Sequence, residues 1–408
     1  MNRNSIPRWI NAAIDAIADA PDSLIGRVAA KRLGRPAAIG SVPATSFEDA
    51  PRRVLIAPVN YSGQGREWAR ALETADASIS ARNLAVEVPG GFDFPAHVVV
   101  PVGTYHNDGD WQRREFEAAL GATHVLIEAE VPPFGRLFGR SVGKLGRALA
   151  EGGIDVAYLA HGTDVRLPSR HVERHEWSHY NDPSIYAPRA ETLASRNIEL
   201  VTTSGRPVFV STPDLLDDLP DAHWCPVVVD PARWQGERPG RVGPLRVAHA
   251  PSVGPVKGTS LVLPVLELLA AEGVIELDLV QGRPSGQMPE VFTKADVVID
   301  QLRVGSYGVA ACEAMAAGCI VVGHVAEHVR ERVTALTGLE LPIVEATPAT
   351  IEDVLRSLAH SDGAELRSAG VAFVHAVHDG RLAARALLEH WIDLGESRKG
   401  SEQHAPRR

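Results

Sequence analysis

The feature that most constrains this fold is a glycine- and alanine-rich segment, residues 305–318, that lies between two short apolar runs. Valine and isoleucine recur in both runs, at 295–300 and 319–322, as is typical of buried strands in a parallel sheet joined by a helix. In open α/β sheets, ligands bind beyond the carboxyl ends of the strands, where amides at a helix N-terminus face an anion. The amides predicted to do so are those of Ser306, Tyr307 and Gly308.

Glu313 lies about a turn and a half into the predicted helix. Its carboxylate is therefore expected beside a bound ligand, where it could accept hydrogen bonds from sugar hydroxyls. The alternative is a glutamate on the solvated face of a small-residue helix. The glycines, the preceding strand and the spacing together favour the binding site.

The whole segment has the pattern Gly-x-Tyr-Gly-x-x-x-x-Glu-Ala-Met-Ala-x-Gly and is followed by an apolar strand. It resembles the nucleotide-sugar site of the retaining glycosyltransferases of the GT-B fold, the large family-four group. That family carries two glutamates with seven residues between them; Glu313 matches the second, and Gly305 stands in place of the first. The resemblance implies that Glu313 holds the nucleotide ribose, and that a contact to the transferred sugar is missing or comes from elsewhere.

Length and composition are consistent with this resemblance. A chain of 408 residues with 45% hydrophobic content exceeds the size of one growing core, so two domains are expected. The formal net charge of -10 argues against a nucleic-acid-binding protein. The three cysteines show no metal-binding spacing, and the chain shows neither a signal-peptide pattern nor a long apolar run, so a cytoplasmic location is predicted.

Strand and helix patterns alternate along the chain and predict an α/β protein with doubly wound sheets. The resemblance implies two Rossmann-like domains of this kind that face a cleft. The resemblance adds a C-terminal helix that crosses back to the first domain. Two further runs, 199–203 and 208–213, are predicted as strands. The predicted units are an N-terminal arm with a linker (1–50), an acceptor domain (51–235), a nucleotide-sugar domain (236–380), the crossover helix (381–394) and a polar, disordered tail (395–408).

The N-terminal arm contains an amphipathic helix over 6–17 and a second helical pattern over 24–33 that adds basic residues. One interpretation is an arm that contacts a membrane surface or a partner; the other is a pair of helices packed on the protein's own core. Asp15, Asp19 and Asp22 dilute the positive charge and favour the second interpretation. Peripheral contact with the inner face of the membrane stays open.

A glycine loop follows the first predicted strand, with Gly63 and Gly65 ahead of a helix. Comparison with the dinucleotide fingerprint places its third glycine at Trp68, where an indole would obstruct close helix–strand packing, so a dehydrogenase is disfavoured. The resemblance instead implies that Gly63 and Gly65 lie across the cleft, near the acceptor and the donor phosphates. A plain tight turn is an equally good interpretation.

His161 follows a buried strand and begins the tetrapeptide His-Gly-Thr-Asp, which ends at Asp164. Imidazole can relay a proton near neutral pH, and a nearby carboxylate can fix its orientation. The tetrapeptide resembles a segment of the same glycosyltransferases, which implies contact with the donor sugar or acceptor; a capping aspartate beside a structural histidine is the alternative.

A later set of histidines with regular spacing is predicted to lie on a solvated, charged helix rather than at a metal: His171, His175 and His179.

Lys257 lies at the predicted entry of an apolar helix, where it could neutralise a diphosphate. The segment Lys257-Gly258-Thr259 resembles the family's Lys-Gly helix entry. The family's arginine, five residues earlier, is Ser252 here. Either Arg283 or Arg303 could replace that cation.

Together these features predict a glycosyltransferase that uses a nucleoside diphosphate sugar, with retention implied by the family. Lys257 and the amides near Gly308 would stabilise the departing diphosphate, while His161 and Asp164 shape the sugar and acceptor side. Neither a cofactor nor a metal is expected, and the acceptor is open among polysaccharide, lipid-linked sugar and small molecule. The departures at Gly305 and Ser252 keep a non-catalytic nucleotide-binding or interaction protein as the alternative.

Overall fold

The computed structural model describes residues 3–21, 23–38, 40–91, 93–251 and 253–394. The first of its two sheets has seven strands, all of whose neighbours are parallel, in the order β3-β2-β1-β4-β5-β6-β7. Its strands are β1 (Arg52–Ala57), β2 (Ile79–Glu87), β3 (Val98–Pro101), β4 (His124–Glu128), β5 (Asp155–Ala160), β6 (Val208–Val210) and β7 (His223–Trp224).

The second sheet has five parallel strands in the order β12-β11-β10-β8-β9. Its strands are β8 (Leu245–His249), β9 (Ile275–Leu279), β10 (Val297–Ile299), β11 (Ile320–Gly323) and β12 (Ile343–Glu345). The predicted domain boundary near residue 235 falls between β7 and β8.

Helices connect the strands on both sheets. In the first part of the chain they are α1 (Arg8–Asp19), α2 (Leu24–Lys31), α3 (Gln64–Ala75), α4 (Val102–Asn107), α5 (Gly109–Ala119), α6 (Val142–Glu151), α7 (Pro168–Arg174) and α8 (Ala187–Thr203). In the second part they are α9 (Gly254–Lys257), α10 (Thr259–Ala271), α11 (Met288–Lys294), α12 (Val309–Ala316), α13 (Glu327–Thr337), α14 (Ile351–Ala359), α15 (Ala364–Phe373) and α16 (Arg381–Leu387).

The predicted fold class is confirmed: two doubly wound α/β domains, each with a parallel sheet. Strand order reverses between β1 and β4 in the first sheet and between β8 and β10 in the second. Loops that leave the strands at such switch points diverge to opposite faces and leave a crevice for a ligand. The loops after β1, β4, β8 and β10 are therefore the ones that build a site.

The strand predicted at 199–203 is wrong, because these residues form the last turns of α8. Ala194 and Val201, seven residues apart, are the buried residues of this helix. A run of β-branched residues does not override a helical period that begins earlier in the segment.

The C-terminal segment crosses back to the first domain, as predicted. Helix α16 packs on α3, and the π-helical turn that follows it buries Trp391 against the first-domain core. The indole Nε1 of Trp391 lies 3.3 Å from a carboxylate oxygen of Asp155. Gly380, which precedes α16, has a φ of 102°, and a Cβ there would lie 3.0 Å from the Cβ of Ala71. Close approach of the two helices therefore requires this glycine. The predicted disordered tail, 395–408, lies outside the described residues.

Both predicted N-terminal helices are present, but α2 does not pack on the core through its large apolar residues. Its buried residues are Gly26 and Ala30. The favoured interpretation, helices packed on the protein's own core, is thus met in α2 only by these two small residues. None of the described helices is long and apolar enough to cross a membrane.

Replacing Trp391 by alanine should lower the free energy of unfolding by about 3–5 kcal/mol, because the lost indole leaves a cavity between the crossover segment and the first sheet. Replacing Trp9, which is 74% exposed, is the matched control and should change it by less than about 0.5 kcal/mol. Urea unfolding followed by circular dichroism measures both. Equal effects of the two substitutions would contradict the packing described for the crossover segment.

Candidate functional site

The loop after β1 is held by a buried carboxylate. Glu128, the last residue of β4, accepts hydrogen bonds from the amides of Val59 and Asn60, each at 3.2 Å. Gly63 has a φ of 75°, and a Cβ on Gly65 would lie 3.3 Å from both the Asn60 side chain and the Glu128 carboxylate. The two predicted loop glycines thus permit a tight, left-handed turn that lies against Glu128.

His161, which follows β5, points its imidazole at the same carboxylate. Its Nε2 lies 3.1 Å from Oε1 of Glu128, and its ring packs against Tyr61 and Trp68, with centroids 5.1 and 5.5 Å away. Asp164 caps its own loop instead, because its carboxylate accepts from the amides of His161, at 2.8 Å, and Gly162. Glu128, not Asp164, therefore orients the imidazole.

A second carboxyl group lies two residues beyond Glu128. Glu130 is buried and has a left-handed backbone with a φ of 52°. Burial first, and the neighbouring Asp164 carboxylate second, hold the pKa of Glu130 well above its usual value. The surroundings of Glu130 therefore favour its protonated form.

A cavity of about 460 Å³ opens at the carboxyl ends of β1, β2 and β3. Its lining includes Asn60, Glu87, Asp93 and Phe94. A Cβ on Gly63 would contact the Phe94 ring at 3.5 Å. The glycine loop therefore packs against a residue that lines the cavity.

In the second domain, Lys257 ends the single turn α9, and Gly258 follows with a φ of 82° before α10 begins. The ammonium of Lys257 donates to Asp300, a buried residue directly after β10. The Lys257 side chain is 11% exposed. The predicted cation is therefore paired with a buried carboxylate at the end of β10, where the strand order of the second sheet reverses.

Glu313 is half-buried on α12. Burial raises the pKa of Glu313 to about 8, with Glu67 and Asp300 adding to the increase and Arg233 and Lys257 opposing it. Lys257 of the second domain and Glu67 of α3 thus act in opposite directions on the pKa of Glu313. Arg233 pairs loosely with Glu67, at 3.6 Å, and sequence reasoning missed it because it lies in the segment that links the domains.

The three predicted anion-facing residues differ in their surroundings. Gly308 caps α12, and a Cβ there would meet open space. Ser306 and Tyr307 are buried; the Tyr307 hydroxyl lies 3.2 Å from Nε2 of His378, and the Ser306 carbonyl accepts from the Gln301 side chain at 2.6 Å. Of the three, Gly308 is the one that borders free space.

Gly305, which replaces the first motif glutamate, has a φ of 71°. A Cβ at this position would lie 2.3 Å from the Cε1 atom of His175, a residue of the first domain. Such overlap is not tolerated, so neither alanine nor glutamate fits here in this arrangement of the domains. The missing glutamate has a physical reason: an imidazole from the other domain fills its space.

The prediction that His171, His175 and His179 lie on a solvated helix is wrong, because α7 ends at Arg174 and all three imidazoles are buried. His171 lies between the hydroxyl of Ser178, at 2.7 Å, and the carbonyl of Val304 in the second domain, at 3.0 Å. Burial lowers the pKa of His171 to about 3, that of His175 to about 4 and that of His179 to about 2. No group of side chains within the described residues could hold a metal ion.

Of the two candidates for the missing cation, Arg303 is already paired across the domain boundary. Arg303 donates to the Asp182 carboxylate at 2.8 Å and to the carbonyls of Trp177 and Ser178, both at 3.1 Å, so it ties the domains together. Arg283 pairs with Asp278 at 3.7 Å on the surface. Ser252 lies outside the described residues.

Glu128→Gln and Glu130→Gln are the same substitution two residues apart, and they should have opposite effects at pH 8. The first removes a charge that accepts from two amides and should cost about 1–3 kcal/mol of stability. The second removes a carboxyl group whose pKa is raised in the folded protein. The native protein therefore loses stability as the pH rises above the pKa that this group has in the unfolded chain, and the variant does not. Stability relative to the native protein should therefore improve for Glu130→Gln as the pH rises from 5 to 8.

Urea unfolding at both pH values measures these differences, with Glu87→Gln on the exposed end of β2 as the control. A loss of stability in both variants at pH 8 would contradict the distinct environments of the two carboxyl groups.

Gly305→Ala should destabilise the protein by more than the cost of left-handed backbone, because its Cβ also overlaps His175. Gly338→Ala is the matched control, since Gly338 has a φ of 74° and nothing within 4 Å of its Cβ position; it should cost about 1–2 kcal/mol. In a His175→Ala background the cost of Gly305→Ala should fall to the control value. Equal costs in both backgrounds, in a double-mutant cycle, would show that the overlap is relieved by other movements.

No family model matches this chain, and no curated protein matches it at a significant level. Solved structures do. Sucrose-phosphate synthase from Thermosynechococcus elongatus superposes with a TM-score of 0.54 at 12% identity, over 87% of this chain and all of that chain. HepE of Anabaena, in complex with UDP and glucose, gives 0.52 at 10% identity over 86% and 100% of the two chains, and its complex with UDP-glucose gives 0.51 at 11% over 83% and 99%. A glycosyltransferase from Rickettsia africae gives 0.50 at 11% over 84% and 98%. The chain therefore shares the GT-B fold of these proteins.

Proposed function

We propose that this protein is a glycosyltransferase that moves a sugar from a nucleoside diphosphate to an acceptor, with retention at the anomeric carbon. The observation that carries the proposal is the position of Lys257 and Glu313 at the switch point of the second sheet: Lys257 donates to Asp300 directly after β10, and Glu313 lies on α12, the helix that follows β10. A cation and a carboxyl group beside a helix N-terminus match the two ends of a nucleoside diphosphate, its phosphates and its ribose diol.

Lys257 is proposed to stabilise negative charge on the departing diphosphate. In the free protein its ammonium is neutralised by Asp300, so phosphate oxygens would share it with a carboxylate. Arg233, which acts on Glu313 from the linking segment, is a candidate for the second cation in place of the arginine that Ser252 replaces. The amide of Gly308, next to open space, completes the anion side.

Glu313 is proposed to hold the ribose. Its raised pKa, about 8, means that the carboxyl group is mostly protonated at pH 7 before a ligand binds. Ribose hydroxyls donate hydrogen bonds to the ionised form and so favour it. Nucleotide binding near pH 7 should therefore release a proton from this site.

His161 is proposed to face the sugar and the acceptor from the first domain, oriented by Glu128. The adjoining 460 Å³ cavity, with Asn60 and Phe94 in its wall, is proposed as the acceptor side. The attacking hydroxyl would approach from the face that the diphosphate leaves, as the family resemblance implies.

A second candidate is a protein that binds a nucleotide without turnover. It is favoured by one observation, the His175 imidazole that occupies the space of the missing motif glutamate. A contact to the transferred sugar is thereby lost, while the groups proposed for ribose and phosphate stay in place.

Thermal unfolding with UDP, ADP and GDP in turn tests nucleotide binding. One nucleotide in large excess over its dissociation constant should raise the melting temperature by at least about 2–4 °C. Lys257→Met should abolish the shift, because it removes the cation for the phosphates, and Lys294→Met on the surface of α11 should leave it unchanged. No shift with any of the three would contradict the proposed site.

Calorimetry adds a readout that is specific to Glu313. Binding near pH 7 should release a proton in the native protein and none in Glu313→Gln, as seen in the dependence of the binding enthalpy on the buffer. Incubation with UDP-glucose and ADP-glucose then separates the two candidates: hydrolysis or transfer supports the enzyme, and binding without turnover supports the second candidate.

A further inference from the structure

Helix α2 packs through its smallest residues, Gly26 against the connection from α1 and Ala30 against the first domain. Gly26 and Ala30 are buried, and a Cβ on Gly26 would lie 2.5 Å from the carbonyl oxygen of Ala20. The side chain of Asn107, at the end of α4, donates to the carbonyls of Ala30 and Gly34, both at 3.0 Å. These contacts fix which side of α2 faces inward.

The large apolar residues of α2 consequently face solvent. Leu24 is 83% exposed, Ile25 62% and Val28 59%; we call these three residues the apolar stripe. An amphipathic helix on a soluble domain normally turns such residues inward, so contiguous exposure of this kind marks an interaction surface.

Basic residues follow the apolar stripe at the end of the helix. Lys31, Arg32 and Arg35 are exposed, and none of them has an ion pair in the part of the chain that the structure describes. The whole chain carries a formal net charge of -10, so three neighbouring cations beside an apolar stripe run against its overall charge. This combination fits an anionic surface.

The acidic residues of the arm do not offset these cations. Asp15 pairs with Arg3 at 2.9 Å, and Asp19 pairs with Arg189 at 2.8 Å and with Arg196 at 3.2 Å. Arg3 of the arm and two arginines of the first domain thus pair with Asp15 and Asp19, the charges that, in the sequence, argued against membrane contact. Asp22 lies outside the described residues.

We propose that α2 docks on the surface of an anionic lipid bilayer, with the apolar stripe at the boundary between headgroups and acyl chains and Lys31, Arg32 and Arg35 against the lipid phosphates. A bilayer suits this surface better than a protein partner does. Stable protein interfaces bury about 1,200–2,000 Å², far more than three side chains on one short helix supply. A lipid surface accepts a protruding helix without a complementary groove.

Flotation of the full-length protein with vesicles of phosphatidylcholine, alone or mixed with phosphatidylglycerol, tests the proposal without nucleotide or turnover. Its outcome is therefore independent of the proposed glycosyltransferase activity. Binding should be stronger to the mixed vesicles and should weaken with added salt. Lys31→Gln and Arg32→Gln should each lower the partition onto mixed vesicles about five-fold. Leu24→Gln with Val28→Gln should lower binding further.

Matched controls are Val242→Gln, at a residue 96% exposed elsewhere, and Arg206→Gln on the surface after α8; both should bind as the native protein does. All positions are exposed, so thermal unfolding should show an unchanged fold. Equal binding to both kinds of vesicle, binding to neither, or binding that the α2 variants leave unchanged would overturn the proposal. Self-association lost with Leu24→Gln, in sedimentation without lipid, would overturn it in favour of a protein partner.

Discussion

The arrangement of the two domains depends on the approach of His175 to Gly305. Because an imidazole of the first domain lies where a Cβ would be, the second domain must have glycine at the start of its motif loop. The neighbouring contacts reinforce this position: His171 meets the Val304 carbonyl, and Arg303 holds Asp182 across the boundary. Residues that a motif comparison assigns to a ligand are thus used, in part, to hold the domains together.

The fold was predictable because its signals are local. Several buried strands, such as β10 and β11, are short β-branched runs, and the segment 305–318 marks the helix between these two, so the α/β class follows from period and spacing. The positions of Lys257 beside a helix start and of Glu313 within α12 were predictable for the same reason. What the sequence did not reveal are pairings between distant residues, such as Glu128 with His161 and Lys257 with Asp300. No spacing rule relates the ends of separate strands.

The buried histidines show a different limit of sequence reasoning. Their spacing predicts one face of a helix only if the helix continues, and α7 ends at Arg174. Whether a polar residue is solvated depends on what packs over it, and here that is the second domain. Regular spacing within one segment carries no information about a surface that is covered by residues more than a hundred positions away.

In the proposed enzyme, binding and turnover would depend on different parts of the site. Lys257, Glu313 and the start of α12 all belong to the second domain, whereas the position of the first motif glutamate is closed by His175. A contact that strengthens in the transition state raises the rate of the chemical step, while contacts made equally in ground and transition states contribute to affinity. Losing the sugar contact should therefore reduce turnover more than nucleotide affinity. For this reason affinity for a nucleoside diphosphate is the property that the geometry supports most directly, and the rate of transfer depends on whether His161 and Glu128 compensate from the opposite side.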